Sequence, residues 1–354
     1  MASRTIEAAP EADRFEPAPH PRQTYDLVGH RQAERALLDA YAAGRLPHAF
    51  IIGGEKGIGK ATLAWRLARF ILANPDPAAA KAAQNLGVDP GHSAARKIAA
   101  LSQGDVALLR REWNERSKRH FSEIRVDDVR AAAHMFRRSA SFYRICIVDS
   151  AEDLNRSAAN ALLKLVEEPP PRSLFLIVAH RPALVLPTLR SRCRMLLLRP
   201  LSSHEILAAI EALGEPWTDI DLKVRHAAAE RAHGSVAAAL SLLAEDGLEL
   251  DTLVGRLLDA LPNLDWRGIY ALAERLAGRD NEPEFERVMT SVAVWIDARL
   301  HSETARGAGR LAPLAEVWEK AAEAAREAEV MNLDKRPLIL SLFADLAAAR
   351  ARAA

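Results

Sequence analysis

The chain has 354 residues, 49% of them hydrophobic and 27% charged, with a formal net charge of +1. That length exceeds what one core usually organises, so two or three domains are expected. The near-neutral balance argues against a strongly basic nucleic-acid binder, although local patches remain open. The alanine-rich, aromatic-poor composition favours helices. No apolar run reaches the roughly 18 residues of a membrane-spanning helix. Residues 1–22 carry proline and charge without an apolar centre, so a disordered arm is expected there and a signal peptide is not. Two cysteines, Cys146 and Cys193, fit a reducing cytoplasm and cannot by themselves form a four-cysteine zinc site.

The spacing predicts a helix over 27–43, stopped by Gly44 with Pro47 beyond it. HAFIIGG is a short apolar run ending in glycines, followed by a helical pattern over 60–73. Residues 74–105 are rich in Pro, Ala and Gly without periodicity and read as an insertion. A helix is expected over 127–138, then YRICIVD as a buried strand of the kind found in parallel sheets. Asn155 is placed to cap the next helix, whose apolar residues Ala158, Ala161, Leu162, Leu165 and Val166 fall on one face. Pro169-Pro170-Pro171 ends it. SLFLIVAH and MLLLRP are two further strands. Strands alternating with helices predict an α/β domain with a parallel sheet. Beyond Leu201 the strand signals stop and the pattern is helical throughout. The clearest helix begins at Pro283 and carries Phe285, Val288, Met289, Val292, Trp295 and Ile296 along one stripe, read as core rather than partner surface.

Three constellations carry chemistry. GGEKGIGKAT over 53–62 nearly matches G-x-x-x-x-G-K-[ST], and its strand–loop–helix setting makes it a P-loop. Gly54, Gly57 and Gly59 let backbone N–H groups turn toward phosphate, and Lys60 would reach the terminal phosphates. The hydroxyl that should hold magnesium is absent at Ala61, with Thr62 one residue late. Asp149, at the end of its strand, suits metal binding, but Ser150 follows where a water-polarising carboxylate would serve. Glu152 is expected to face solvent or cap a helix. In L-R-S-R-C over 189–193, Arg192 is either part of a solvated basic loop, which composition favours, or a guanidinium offered to a neighbouring subunit's phosphate. The basic stretch 108–120 reads first as a solvated face and only second as a phosphate contact.

The segment SAANALLKLVEEPPPRSLFLIVAHRPALVLPTLRSRC resembles the signature region of bacterial clamp-loader subunits of the AAA+ superfamily, and Ser191-Arg192-Cys193 is its most specific part. IRVDDVR (124–130), RLPHAFIIGG (45–54) and DLVGH (26–30) add to the resemblance, which covers most of 26–200 and continues more weakly beyond. The departures from the ATPase pattern are Ala61, Ser150, Ala179-His180 in place of a polar sensor, and Ala237 in place of a phosphate-sensing arginine. They resemble the delta-prime type of DNA polymerase III subunit rather than the ATPase gamma or tau type.

The resemblance implies an α/β P-loop (AAA+-type) domain over 23–200, a small helical lid over 201–247 and an all-α collar over 248–354. It implies a subunit that does not hydrolyse ATP and supports the loading of a sliding clamp onto primed DNA. Arg192 would act as an arginine finger in trans. Gly54, Gly57, Gly59, Lys60, Thr62 and Asp149 would form a degenerate nucleotide site, with ATP binding left open. Partners would be gamma/tau-type and delta-type subunits, the clamp indirectly and DNA within the complex, with no membrane. Relatives often carry a four-cysteine zinc module between the P-loop and the acidic strand. Residues 74–123 have no cysteine, so no zinc is expected, and His92 and His120 are read as surface or packing residues. Two alternatives remain. One is an active gamma/tau-type ATPase in which Thr62 replaces the missing hydroxyl, and the other is an AAA+ adaptor that only scaffolds a complex.

Overall fold

The computed structural model describes residues 10–136, 143–244, 246–278, 281–303, 312–331 and 333–353. They form two compact units. The first comprises residues up to Asp219 together with Gly234–Ala237, and the second comprises Ile220–His233 and everything from Ala238 onward.

The first unit is built on a five-stranded, all-parallel sheet. Its strands are β1 (Ala49–Gly53), β2 (Val106–Leu109), β5 (Arg144–Val148), β6 (Ser173–Ala179) and β7 (Arg194–Leu197), in the order β2-β5-β6-β1-β7. Between β2 and β5 a two-residue hairpin pairs β3 (Trp113–Asn114) with β4 (Arg119–His120). All residues of β1, β5 and β6 are buried, as expected of continuous apolar strands covered on both faces. Helix α2 (Lys60–Ala73) buries Leu63, Trp65, Leu67, Phe70 and Ile71 with α1 (Arg31–Ala42) in one core. Helices α4 (Val126–Phe136) and α5 (Arg156–Glu167) close another. α3 (Ser93–Ala99) lies in the segment read as an insertion. Asn155 caps α5 as expected, its side chain accepting the Ala158 N–H at 2.8 Å. Short α6 (Pro187–Arg190) and helix α7 (Ser203–Leu213), which opens on a Ser202/Glu205 capping box, complete this unit.

Three expectations are corrected. The helix expected from residue 27 begins at Arg31, because Gly29 and His30 adopt positive φ (71° and 54°) and break the turn. The basic stretch 108–120, read first as a solvated face, instead runs through the end of the edge strand β2 and the β3–β4 hairpin, and its Arg110 pairs with Glu11 and Asp13. The arm expected to be disordered is ordered over residues 10–22. Glu11 pairs with Arg22 and Arg110 (2.8 Å each), and Asp13 lies 2.5 Å from Arg110 and 2.9 Å from His20, whose ring is fully buried. Residues 1–9 lie outside the described part, as do Arg137 and Arg138 at the expected end of α4.

The second unit contains α8 (Leu222–Arg231), most of α9 (Val236–Leu243), α10 (Gly247–Asp259), α11 (Trp266–Leu276), α12 (Glu282–Glu303), α13 (Ala312–Met331) and α14 (Arg336–Ala353). Its core joins Leu250, Val254, Leu272 and Leu276 to Phe343 and Leu346. The α12 stripe packs into it, with Trp295 partly buried and the rest buried, so the stripe is core as expected. Among the described residues no helix is long and apolar enough to cross a membrane.

Candidate functional site

Parallel strands align their C-terminal ends along one edge, so β5, β6 and β1 deliver Asp149, His180 and the P-loop side by side. The loop leaves β1 with Gly54 at φ 142°, turns at Gly57 (φ 81°) and enters α2 through Gly59 (φ 100°). These positive values are the backbone conformations that the three glycines were expected to supply. The Gly54 N–H donates to the Ala179 carbonyl at 3.2 Å, tying the loop to the neighbouring strand. His30 Nε2 lies 2.7 Å from the Ile58 carbonyl, so the DLVGH stretch reaches the loop from the other side.

Lys60 is buried, and its ammonium donates to the Glu55 carbonyl within the loop. Burial pulls its pKa down to about 8, against the opposing pull of Asp149, Glu152 and Glu55. Asp149 is buried as well. Burial pushes its carboxyl up to about 8, the charge of Asp13 on the N-terminal arm adds to the rise, and Lys60 works against it. His180 is lowered to about 4, first by burial and then by Lys60, and its Nδ1 is buried without a hydrogen-bond partner.

Glu152 is a correction. It was expected to meet solvent or cap a helix, yet its Oε1 accepts the Arg181 N–H and its Oε2 is buried without a partner. Its charge is felt at Lys60, Asp149 and His180, which places it among the site groups. A carboxylate four residues beyond the strand end carries no periodic signal, so pattern alone could not put it there.

The donor set fits a phosphate better than a metal. Glycine turns, the N-terminus of a 14-residue helix and the Lys60 ammonium make an anion cradle. A magnesium site would need a hydroxyl and an ionised carboxylate, where the chain has the Ala61 methyl and a carboxyl held largely neutral at pH 7. Thr62 lies one residue further along α2, about 100° around the helix from Ala61. A regular helix therefore aims its hydroxyl away from the direction residue 61 faces. Among the described residues no group of three or more His, Cys, Asp or Glu is arranged to hold a metal ion. His92 accepts the Ala94 N–H at the start of α3, and His120 packs edge-on against Trp113 in the hairpin.

A segment of the same unit, Gly234–Ala237, lies over the P-loop. The Val236 N–H donates to the Gly57 carbonyl at 3.0 Å. A Cβ on Gly57 would stand 2.3 Å from Ser235 Oγ and 2.6 Å from the Ala237 Cβ. Position 237 thus faces the loop with a methyl group and no guanidinium. Gly57→Ala is expected to force this segment away, destabilise the chain by about 1–2 kcal/mol, and speed hydrogen exchange at the Val236 amide. Unchanged exchange would show that the two segments do not depend on each other.

Arg192 lies elsewhere. It follows α6 and precedes β7, whose Arg194 aligns with Phe50 and whose Leu197 aligns with Gly53. The guanidinium therefore starts from the N-terminal edge of the sheet, while the P-loop leaves the C-terminal edge. Four to five strand residues separate the two, roughly 13–17 Å at about 3.3 Å each. Its side chain is 43% exposed.

A family model described as "DNA polymerase III, delta subunit" matches residues 29–202. The chain belongs to the DNA polymerase III clamp-loader family. It is 35% identical over 148 residues to the DNA polymerase III subunit delta' of Pseudomonas aeruginosa, covering 41% of each chain. To the delta' of Escherichia coli it is 29% identical over 243 residues, 66% of each. To the gamma/tau subunit of Mycobacterium tuberculosis it is 31% identical over 199 residues, 54% of this chain. The clamp-loader chain spans only about a third of that gamma/tau relative's length (31%). Among solved structures, it aligns with the Thermotoga maritima RuvB Holliday junction branch migration motor over 91% of each chain, at 18% identity and a TM-score of 0.44.

Proposed function

We propose that this clamp-loader chain is a non-hydrolysing, delta-prime-like subunit. In this reading it supports loading of a sliding clamp onto primed DNA and supplies Arg192 in trans to a nucleotide held by a neighbouring gamma/tau-type subunit. The observation that carries the reading is placement. The chain's own P-loop and its exposed Arg192 stand at opposite edges of one sheet, so Arg192 cannot serve its own site but can serve a neighbour's. The altered nucleotide site agrees with it: Ala61 has no hydroxyl, Ser150 no carboxylate, and Ala237 no guanidinium. The Lys60 cradle would allow ATP to be held without being hydrolysed. The helices after residue 201 would then act as lid (201–247) and as collar (248–354), which assembles with gamma/tau-type and delta-type subunits in the cytoplasm.

The test is ATP turnover by the purified chain and by a loader reconstituted around it. The chain alone is expected to release no phosphate from Mg·ATP above background. Ala61→Thr is expected not to restore turnover, because one hydroxyl leaves the other losses in place. A second reading, an active gamma/tau-type ATPase, is favoured by the 31% identity to the Mycobacterium tuberculosis subunit. Magnesium-dependent turnover by the isolated chain would establish it in place of the first.

A further inference from the structure

Arg192 is not a freely waving surface side chain. Its Nε lies 2.8 Å from Glu167 Oε1 in an ion pair, and its Nη1 donates to the Thr188 carbonyl at 3.0 Å and to Ser191 Oγ at 3.3 Å. Nη2 has no protein partner among these contacts. The planar guanidinium is gripped along one flank and at one terminal nitrogen, with its remaining N–H groups left over. Glu167 is the last residue of α5, and Pro169 behind it forbids another turn, which fixes where the carboxylate sits. Thr188 and Ser191 belong to α6 and its C-cap, packed beside α5.

We infer that Glu167 is a positioning residue for Arg192, holding the guanidinium in the orientation from which Nη2 is presented to a phosphate on a neighbouring subunit. This rests on the reading of Arg192 as a group that acts in trans. The physical case is one of entropy and aim. A free arginine carries about 2 kcal/mol of rotamer entropy that must be lost when it meets a phosphate, and a carboxylate contact removes part of that loss in advance. Misplacement of a positioned group by about 1 Å can cost on the order of 10²-fold in rate. The pair itself contributes little to folding, since exposed ion pairs are worth about 0–1 kcal/mol, and Glu167 is 37% exposed. Substituting Glu167 should therefore leave the chain folded while loosening the group it aims.

The experiment uses the loader reconstituted with gamma/tau-type and delta-type partners, its assembly checked by gel filtration, and DNA-stimulated ATP hydrolysis as readout. In single turnover, Glu167→Ala is expected to slow the phase of the site that Arg192 serves about tenfold while leaving the other phases and ATP binding unchanged. Glu167→Asp, which keeps the carboxylate charge, is expected to recover part of it, whereas the neutral Glu167→Gln is expected to recover little. In an Arg192→Ala background, Glu167→Ala is expected to change nothing further. An equal loss in both backgrounds would overturn the inference in favour of a structural role. An increase in rate would overturn it too, because the carboxylate would then be competing with the phosphate for Arg192. If Arg192→Ala lowers the rate and Glu167→Ala does not, the positioning role alone fails. If Arg192→Ala itself has no effect, the reading of Arg192 fails and takes this inference with it.

Discussion

If Arg192 acts in trans as proposed, Arg192→Ala is expected to leave the chain folded and assembled while slowing hydrolysis at a neighbouring site by about 10³-fold. The size follows from what a guanidinium does when phosphoryl transfer spreads negative charge over terminal oxygens. It meets that charge in a site from which water is excluded, where each interaction is worth more than in bulk. The chain itself has little to lose, since the side chain is partly exposed and its contacts are to Glu167, Thr188 and Ser191 at the surface. Only one site per ring would receive this arginine, so a steady-state rate understates the defect. A single-turnover measurement on the reconstituted loader isolates it: one burst amplitude should vanish while the others persist. Arg192→Lys keeps the charge but loses the planar fork, and should fall between the two. A burst unchanged in every phase would exclude a trans role for Arg192.

Much of the first unit could be read from sequence because its signals are local. The apolar strands, the Asn155 cap, the triple proline and the glycines at 54, 57 and 59 each act within a few residues, and each stands where it was expected. What escaped was non-local. The arm over 10–22 looks polar and proline-rich, and it is ordered by ion pairs to Arg110, nearly a hundred residues away, and by burial of His20. Strand β2 is four residues long and earns its place only by pairing with β5. Glu152 joined the site because the turn after β5 folds it back toward Lys60. The role proposed for Arg192 comes only through resemblance, since a basic loop has no pattern that distinguishes a poised guanidinium from a solvated one. The sheet register that separates it from its own P-loop is a fact of the fold.

Asp149→Asn is expected to stabilise the chain by up to about 5 kcal/mol at pH 7.5 and by less than about 1 kcal/mol near pH 4. The sign follows from the direction of the shift. Burial raises the folded carboxyl from an ordinary 3.8 to about 8, and the nearby Asp13 charge raises it further. Between those values the folded chain keeps a proton that the unfolded chain releases. Stability attributable to this group is thus fully present below about pH 4 and drains away as pH rises toward 8. Asparagine has the same shape and no proton to surrender, so its advantage grows across that window. Lys60, lowered to about 8, works in the opposite sense only above that pH, where the unfolded chain holds the extra proton. Urea unfolding of both chains at pH 4.5, 6 and 7.5 reads the difference directly. If Asp149→Asn instead destabilises the chain at pH 7.5, the carboxylate is ionised and paired with Lys60. The site would then hold the charge that a magnesium ion requires, and the proposed lack of hydrolysis would rest on Ala61, Ser150 and Ala237 alone. A rising gain with pH would mean that burial has removed the metal-binding charge at Asp149 although the residue has been kept, a loss that reading the sequence position by position does not reveal.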